Sequence, residues 1–201
     1  MISWNVDGAN EQDLFDLIIS FSASEEWHIL IFQEVSPSVP SHVYTGEGHL
    51  ILTGPIYWRC CSIVVHRSLV SCVHRLGLDS LFPAASLKIG DDMHTFISCH
   101  LPHSGKSDEE FSMGIQELSA SLNWSSGHIH LGLDANIEFD ATHSEDEEFW
   151  GVGSQIMQGG RSNHYRTGQF IALLQGSRLL ASSTFFPAHP SHCHKVTKRE
   201  S

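Results

Sequence analysis

The chain has 201 residues, 41% of them hydrophobic and 17% charged, which is enough for one domain with a sizeable core and lies outside the composition of disordered or fibrous proteins. A formal net charge of -12, from 23 acidic and 11 basic side chains, argues against gripping nucleic acid through a broad basic face, so any anionic substrate needs a cation beside it. No apolar run approaches the roughly 20 residues that span a bilayer, the start lacks a secretory pattern, and five cysteines without C-x-x-C spacing suit reduced thiols; the expectation is an intracellular protein, nuclear or cytoplasmic, not secreted and without a membrane partner.

Ile2 to Val6 alternates apolar and polar residues and ends at Asp7-Gly8, after which Leu14, Leu17, Ile18 and Phe21 recur at helical spacing. This predicts strand, turn, helix. His28 to Phe32 reads as a buried strand closed by Gln33-Glu34 and then Pro37 and Pro40. Short strands are predicted at His49 to Thr53, Cys61 to His66, Val70 to Leu76, Ala84 to Ile89 and Met93 to Ser98, with a hairpin turn at residues 90–92, so this region should be antiparallel sheet. A second helix follows from Phe111, Ile115, Leu118 and Leu122 after the acidic start Asp108-Glu109-Glu110, which suits the positive end of a helix dipole.

His128 to Leu133 is a further buried strand ending at Asp134-Ala135-Asn136, and the acidic run 144–148 reads as a solvated loop before a third helix on Phe170, Leu173 and Leu174. Three helices among many strands point to an α/β fold built from two sheets rather than one continuous parallel sheet. The domain is placed at residues 1–187, and 188–201 as an irregular or frayed tail.

Polar residues recur where apolar strands end: Asn5, Glu34, His100, and Asp134 with Asn136. Strand ends are where a rigid sheet presents converging side chains. Carboxylate and amide oxygens are hard ligands for magnesium or manganese, whereas a structural zinc site wants paired Cys/His spacings that are absent here. Each residue alone also has a bland reading: Asn5 before Asp7-Gly8 as turn chemistry, Glu34 as a solvated strand end, Asp134-x-Asn136 as an Asx turn. Asp134 and Asn136 would share a face if their strand continued. Cys60, Cys61 and Cys99 read as buried small hydrophobes, and the tryptophans as packing, Trp58 and Trp150 with the weakest claim to it.

Ser3-Trp4-Asn5-Val6-Asp7-Gly8, Phe32-Gln33-Glu34-Val35, Ser98-Cys99-His100-Leu101-Pro102-His103-Ser104-Gly105 and Gly132-Leu133-Asp134-Ala135-Asn136 stand in the order of the motifs of the endonuclease/exonuclease/phosphatase superfamily. The sequence resembles that superfamily, nearest in flavour to apurinic endonucleases and to endonuclease domains of retrotransposons lacking long terminal repeats, which also carry a phrase like residues 163–186. The resemblance implies a four-layer α/β/β/α sandwich of two packed, mostly antiparallel sheets. It implies a divalent-metal-dependent phosphodiesterase, foremost a DNA endonuclease using Mg2+ or Mn2+, within a larger polyprotein that includes reverse transcriptase.

By the same resemblance, Asn5 and Glu34 hold the metal; Asn5, His100 and Asn136 contact the substrate phosphate; and Asp134 orients or deprotonates the attacking water. Two departures stand out. Leu133 occupies a place usually held by glycine, where it would crowd the phosphate, and no aspartate follows Asp146 to form the family's closing Asp-His pair. His189, His192 and His194 are poor substitutes in their setting. The expectation is a chain truncated before its last strands; the alternative functions are an inactive remnant or an inositol-phosphate phosphatase.

Overall fold

The structure, a computed structural model, describes residues 1–24, 26–55, 60–78, 80–137 and 164–179. In chain order the elements are β1 (Ile2–Asn5), α1 (Glu11–Ser24), β2 (Ile29–Val35), β3 (His42–Tyr44), β4 (Leu50–Thr53), β5 (Cys60–Val65), a short 3-10 helix (Arg67–Cys72), β6 (Val73–Gly77), β7 (Ala84–Ile89), β8 (Asp92–His100), α2 (Asp108–Trp124), β9 (His128–Asp134) and α3 (His164–Ser177). One sheet has the order β1-β2-β5-β4-β3 and the other β6-β7-β8-β9. Within them β1 pairs with β2 and β8 with β9 in parallel, and every other pairing is antiparallel.

Local chemistry explains the boundaries. Asn10 caps α1, its Oδ1 accepting from the Gln12 and Asp13 amides at 2.9 and 3.1 Å while Asp13 accepts from the Asn10 amide at 3.1 Å. Ser107 and Glu110 form the same reciprocal box at the start of α2, and its acidic first turn faces the positive end of the helix dipole. Gly90, at φ 62°, supplies the left-handed residue that the tight β7–β8 turn requires.

The first sheet is covered on both faces, as its unbroken apolar runs demand. Leu14 and Ile18 of α1 pack with Leu30, Phe32, Ile51 and Val64 on one side. On the other, Ile29, Ile31, Leu50, Leu52, Ile63 and Val65 meet Ala85, Leu87 and Phe96 of the second sheet. The alternation along β8 then turns Ile97 and Cys99, both fully buried, toward the opposite face. There α2 lies close enough for its Gly114 to sit against Leu101 and Pro102 and its Trp124 ring against Gly77. The result is the expected α/β/β/α stack.

The two sheets approach closely at Gly132. A β-carbon there would lie 2.8 Å from both the Ile31 Cβ and the Ser3 Oγ, inside any allowed contact, so only hydrogen fits. Beside it, the Ser98 Oγ donates to the Phe32 carbonyl at 2.9 Å, tying the second sheet to the first through a buried hydrogen bond.

Residues 1–136 form one compact unit and 137–201 another. In the second, α3 buries Arg166, Thr167, Phe170, Ile171, Leu173 and Leu174, which includes the three apolar positions that predict it. None of the helices among the described residues is long and apolar enough to cross a membrane.

Several predicted boundaries change. The strand expected at Val70 to Leu76 begins only at Val73, because the His66 side chain accepts from the Ser68 amide and starts a 3-10 turn. Gln33-Glu34 does not close β2 but lies inside it, and β3 was not foreseen in a segment with so few apolar residues. The acidic run 144–148, Trp58, Trp150, the histidines at 189, 192 and 194, and the tail 188–201 lie outside the described residues.

Replacing Gly132 with alanine must push the sheets apart or shift Ile31. Gly132→Ala is expected to lose about 1–3 kcal/mol in urea denaturation; an unchanged midpoint would show that the interface tolerates the extra methyl group.

Candidate functional site

Both parallel pairs carry their C-terminal ends to one place. Asn5 is the last residue of β1 and is paired with Gln33, Glu34 follows on β2, and His100 and Asp134 are direct neighbours at the ends of β8 and β9. Cross-sheet bonds join the ends: Asn5 Nδ2 donates to Asp134 Oδ2 at 2.7 Å, and His100 Nε2 lies 3.1 Å from Glu34 Oε1. The expected residues from all four strands thus meet, although Asn5 and Asp134 are 129 positions apart.

Glu34 is aimed by a bulge. β2 spends three steps between Phe32 and Val35 where β5 spends two between Ser62 and Cys60, and the extra residue puts Glu34 at φ 59°. Asp7, at φ 46°, and Asn136, at φ 48°, share that left-handed conformation. Three of the four non-glycine residues with positive φ among the described residues therefore lie at or next to this site, each costing on the order of 1 kcal/mol. The loop after β1 is fixed onto β2 by Val6 and Gly8, whose amides donate to the Gln33 and Glu34 carbonyls at 2.9 and 2.6 Å.

Asp134 and Asn136 do not share a strand face, because β9 ends at Asp134. Instead the Asn136 amide donates to Asp134 Oδ1 at 3.2 Å, an Asx turn that folds the asparagine back over the site. Its Nδ2 lies 2.8 Å from the Leu101 carbonyl and 3.0 Å from His100 Nε2. Asn5 likewise accepts from the Asp7 amide at 3.0 Å. Leu133 alternates with Asp134, so its side chain faces away from the site rather than crowding it. His103 serves its own loop, its Nδ1 accepting from the Gly105 amide at 3.0 Å.

Supporting residues had no assigned role in the sequence. Gln33 is buried and donates to Ser3 Oγ at 3.0 Å, and Ser98 makes the cross-sheet bond already described. Their only signal is a polar side chain placed at an inward position of an apolar strand. Cys61 and Cys99 lie beneath the site. Burial pushes the Cys61 thiol up to about 12 against the opposing hydrogen bond from Ser98, and burial also raises Cys99 well above the ordinary range.

The donor chemistry suits a divalent cation. One ligand atom each of Glu34, His100 and Asp134 lies within 4.8 Å of the others, half-buried or buried. Two carboxylates and an imidazole converging at this distance form a set that a divalent ion fits.

The same arrangement of strands and helices recurs in solved structures. The endonuclease domain of TRAS1, a telomere-specific non-LTR retrotransposon, superimposes with a TM-score of 0.54 at 13% identity over 88% of this chain and 71% of that one. The chain has the endonuclease/exonuclease/phosphatase fold. The AP endonuclease LMAP from Leishmania major gives 0.54 at 12% identity over 87% and 65%, and a humanized D. rerio TDP2 gives 0.50 at 16% over 72% and 64%. The chain thus spans about two thirds of the latter two. No family model matches the sequence, and no curated protein does.

Two outcomes follow for this endonuclease/exonuclease/phosphatase fold. Glu34→Gly relieves the left-handed strain that Glu34→Ala retains, so the glycine variant should be the more stable by about 1 kcal/mol in denaturant with EDTA; equal stability would show that the bulge relaxes. Among the described cysteines, only the half-buried Cys72 should react with a thiol reagent at neutral pH, read by peptide mapping, while Cys60, Cys61 and Cys99 stay protonated and enclosed.

Proposed function

We propose that the chain is a divalent-metal-dependent phosphodiesterase, that its substrate is DNA, and that it cuts internally with Mg2+ or Mn2+. The observation that carries this reading is the meeting of Glu34, His100 and Asp134 within 4.8 Å at the common end of four strands, with Asn5 and Asn136 bonded into the group. Two carboxylates repel a phosphodiester unless a cation lies between them and it. A bound divalent ion supplies that charge and offsets what develops on the phosphate oxygens during attack.

The protein groups divide the remaining work. Glu34 is the carboxylate pointed into the site by its bulge and is the direct ligand. Asp134 is held from two sides, by Asn5 Nδ2 on one oxygen and the Asn136 amide on the other, so its remaining lone pairs are fixed in direction. It orients a water for in-line attack and takes its proton. Asn136 presents its side-chain amide to a nonbridging phosphate oxygen. Asn5 serves chiefly by aligning Asp134.

DNA is favoured over a phosphomonoester because the two structures that align at a TM-score of 0.54 are named as endonucleases, one from a retrotransposon. On this reading the domain covers residues 1–187, the parent polypeptide includes reverse transcriptase, and cutting takes place in the nucleus. With a net charge of -12, which argues against a broad basic face, the site cation and local contacts must hold the strand.

Supercoiled plasmid provides the test. Nicking in Mg2+ should vanish with EDTA and fall by about 10²–10⁴-fold in Asp134→Ala, with a loss of similar order in Glu34→Ala. Hydrolysis of inositol phosphates without nicking would move the reading to a phosphatase, and silence on both substrates to an inert remnant.

A further inference from the structure

We propose that His100 is itself a ligand of the divalent ion, beside Glu34, and that the site consequently discriminates in favour of a transition ion such as Mn2+ over Mg2+. This rests on the metal-dependent reading above but gives His100 a different task from the phosphate contact that the sequence resemblance implies.

The hydrogen bonds around His100 carry the inference. Its Nε2 stands 3.1 Å from Glu34 Oε1 and 3.0 Å from Asn136 Nδ2. The Asn136 amide cannot be turned over, because the same Nδ2 lies 2.8 Å from the Leu101 carbonyl, and an oxygen in its place would oppose another oxygen. A single ring nitrogen therefore faces an amide donor on one side and a carboxylate acceptor on the other. With a proton on Nε2 it satisfies Glu34 and collides with the Asn136 N–H; without one it accepts from Asn136 and sets its lone pair against the carboxylate. Neither tautomer suits both neighbours.

A cation shared by Nε2 and Oε1 removes the conflict at Nε2 and places the ring's one proton on the buried Nδ1. Two ligands at right angles on one ion, with bonds of roughly 2.1–2.2 Å, are separated by roughly 3.0–3.1 Å, which is the spacing found. Asn136 keeps its bond to Leu101 and has its second N–H released for the substrate. His100 is buried and is the direct register partner of Asp134 at the ends of β8 and β9, so the ring is held where it stands. Mg2+ prefers oxygen and gives up water reluctantly, whereas transition ions accept an imidazole nitrogen readily. The hard carboxylates set the charge of the site, and the imidazole sets its preference among ions.

The test reads metal binding rather than turnover. Mn2+ is titrated into the 201-residue chain with pulsed electron paramagnetic resonance to detect coupling to a directly bound nitrogen, and Mg2+ and Mn2+ affinities are compared by calorimetry. The expected result is one Mn2+ site that Glu34→Gln abolishes and whose nitrogen coupling changes when histidine is labelled with 15N. In His100→Gln the coupling should disappear and Mn2+ affinity fall by about tenfold or more, while Mg2+ affinity changes by less than about threefold. If His100→Gln does not fold, the 15N label on the unsubstituted chain, combined with loss of binding in Glu34→Gln, reads the same bond.

A Glu34-dependent Mn2+ site without nitrogen coupling would overturn the role of His100 and leave the metal-dependent reading standing. Coupling that persists in His100→Gln would overturn it too, by assigning the nitrogen to another residue. No Glu34-dependent binding of either ion would remove both readings.

Discussion

The close approach of the two sheets at Gly132 sets the geometry of the site within residues 1–136. Ile31 of β2 and Ser3 of β1 reach into space that any side chain at position 132 of β9 would fill, so the strand ends of one sheet come within hydrogen-bonding distance of the other. Asn5 can then reach Asp134, and Glu34 can reach His100. The hydrophobic layer between the sheets, from Leu52 and Ile63 to Leu87 and Phe96, is thick enough elsewhere to stabilise the stack. At the site end it gives way to Ser3, Gln33 and Ser98: Gln33 donates to Ser3 within the first sheet, and Ser98 bonds across the seam to Phe32.

Local backbone chemistry does the aiming. Asp7 and Asn136 sit in Asx turns and Glu34 on a bulge, all in left-handed conformations that L-residues adopt at some cost. Such strain is sustained because the turns are anchored on both sides, to the carbonyls of Gln33, Glu34 and Leu101. Turn chemistry and site chemistry are thus one arrangement: the side-chain oxygens that tie Asn5 to Asp7 and Asp134 to Asn136 also settle which lone pairs and N–H groups face inward.

Much of this was legible in the sequence, and the limits have physical reasons. β7 is recovered at both ends because alternation and the Gly90 turn bound it unambiguously, and α1 announces itself by apolar spacing and α2 by apolar spacing and an acidic start. The convergence of Asn5, Glu34, His100, Asp134 and Asn136 could be expected from their places at strand ends. The turn readings at Asn5 and at Asp134-x-Asn136 stand in the sequence beside the catalytic ones, but the cross-sheet bonds and the positive φ at Glu34 leave no mark in composition. Nor does the face taken by Leu133, which depends on the register of β9. Gln33 and Ser98 are visible only as polar residues in apolar company, and the tie Ser98 makes to Phe32 needs both sheets to be placed first.

The Asn5–Asp134 bond spans 129 positions of sequence, so the site closes only when the first strand and β9 are both docked. No hairpin or helix pair formed earlier contains it. Long-range closure of this kind slows folding and makes it cooperative. An ion bound between Glu34, His100 and Asp134 would join strands from both ends of this unit and from both sheets, and so would act on the folding equilibrium of residues 1–136 as a whole rather than on a local segment. On the proposed metal-dependent reading the centre would double as a clasp, since the event that readies the chemistry would also lock the scaffold.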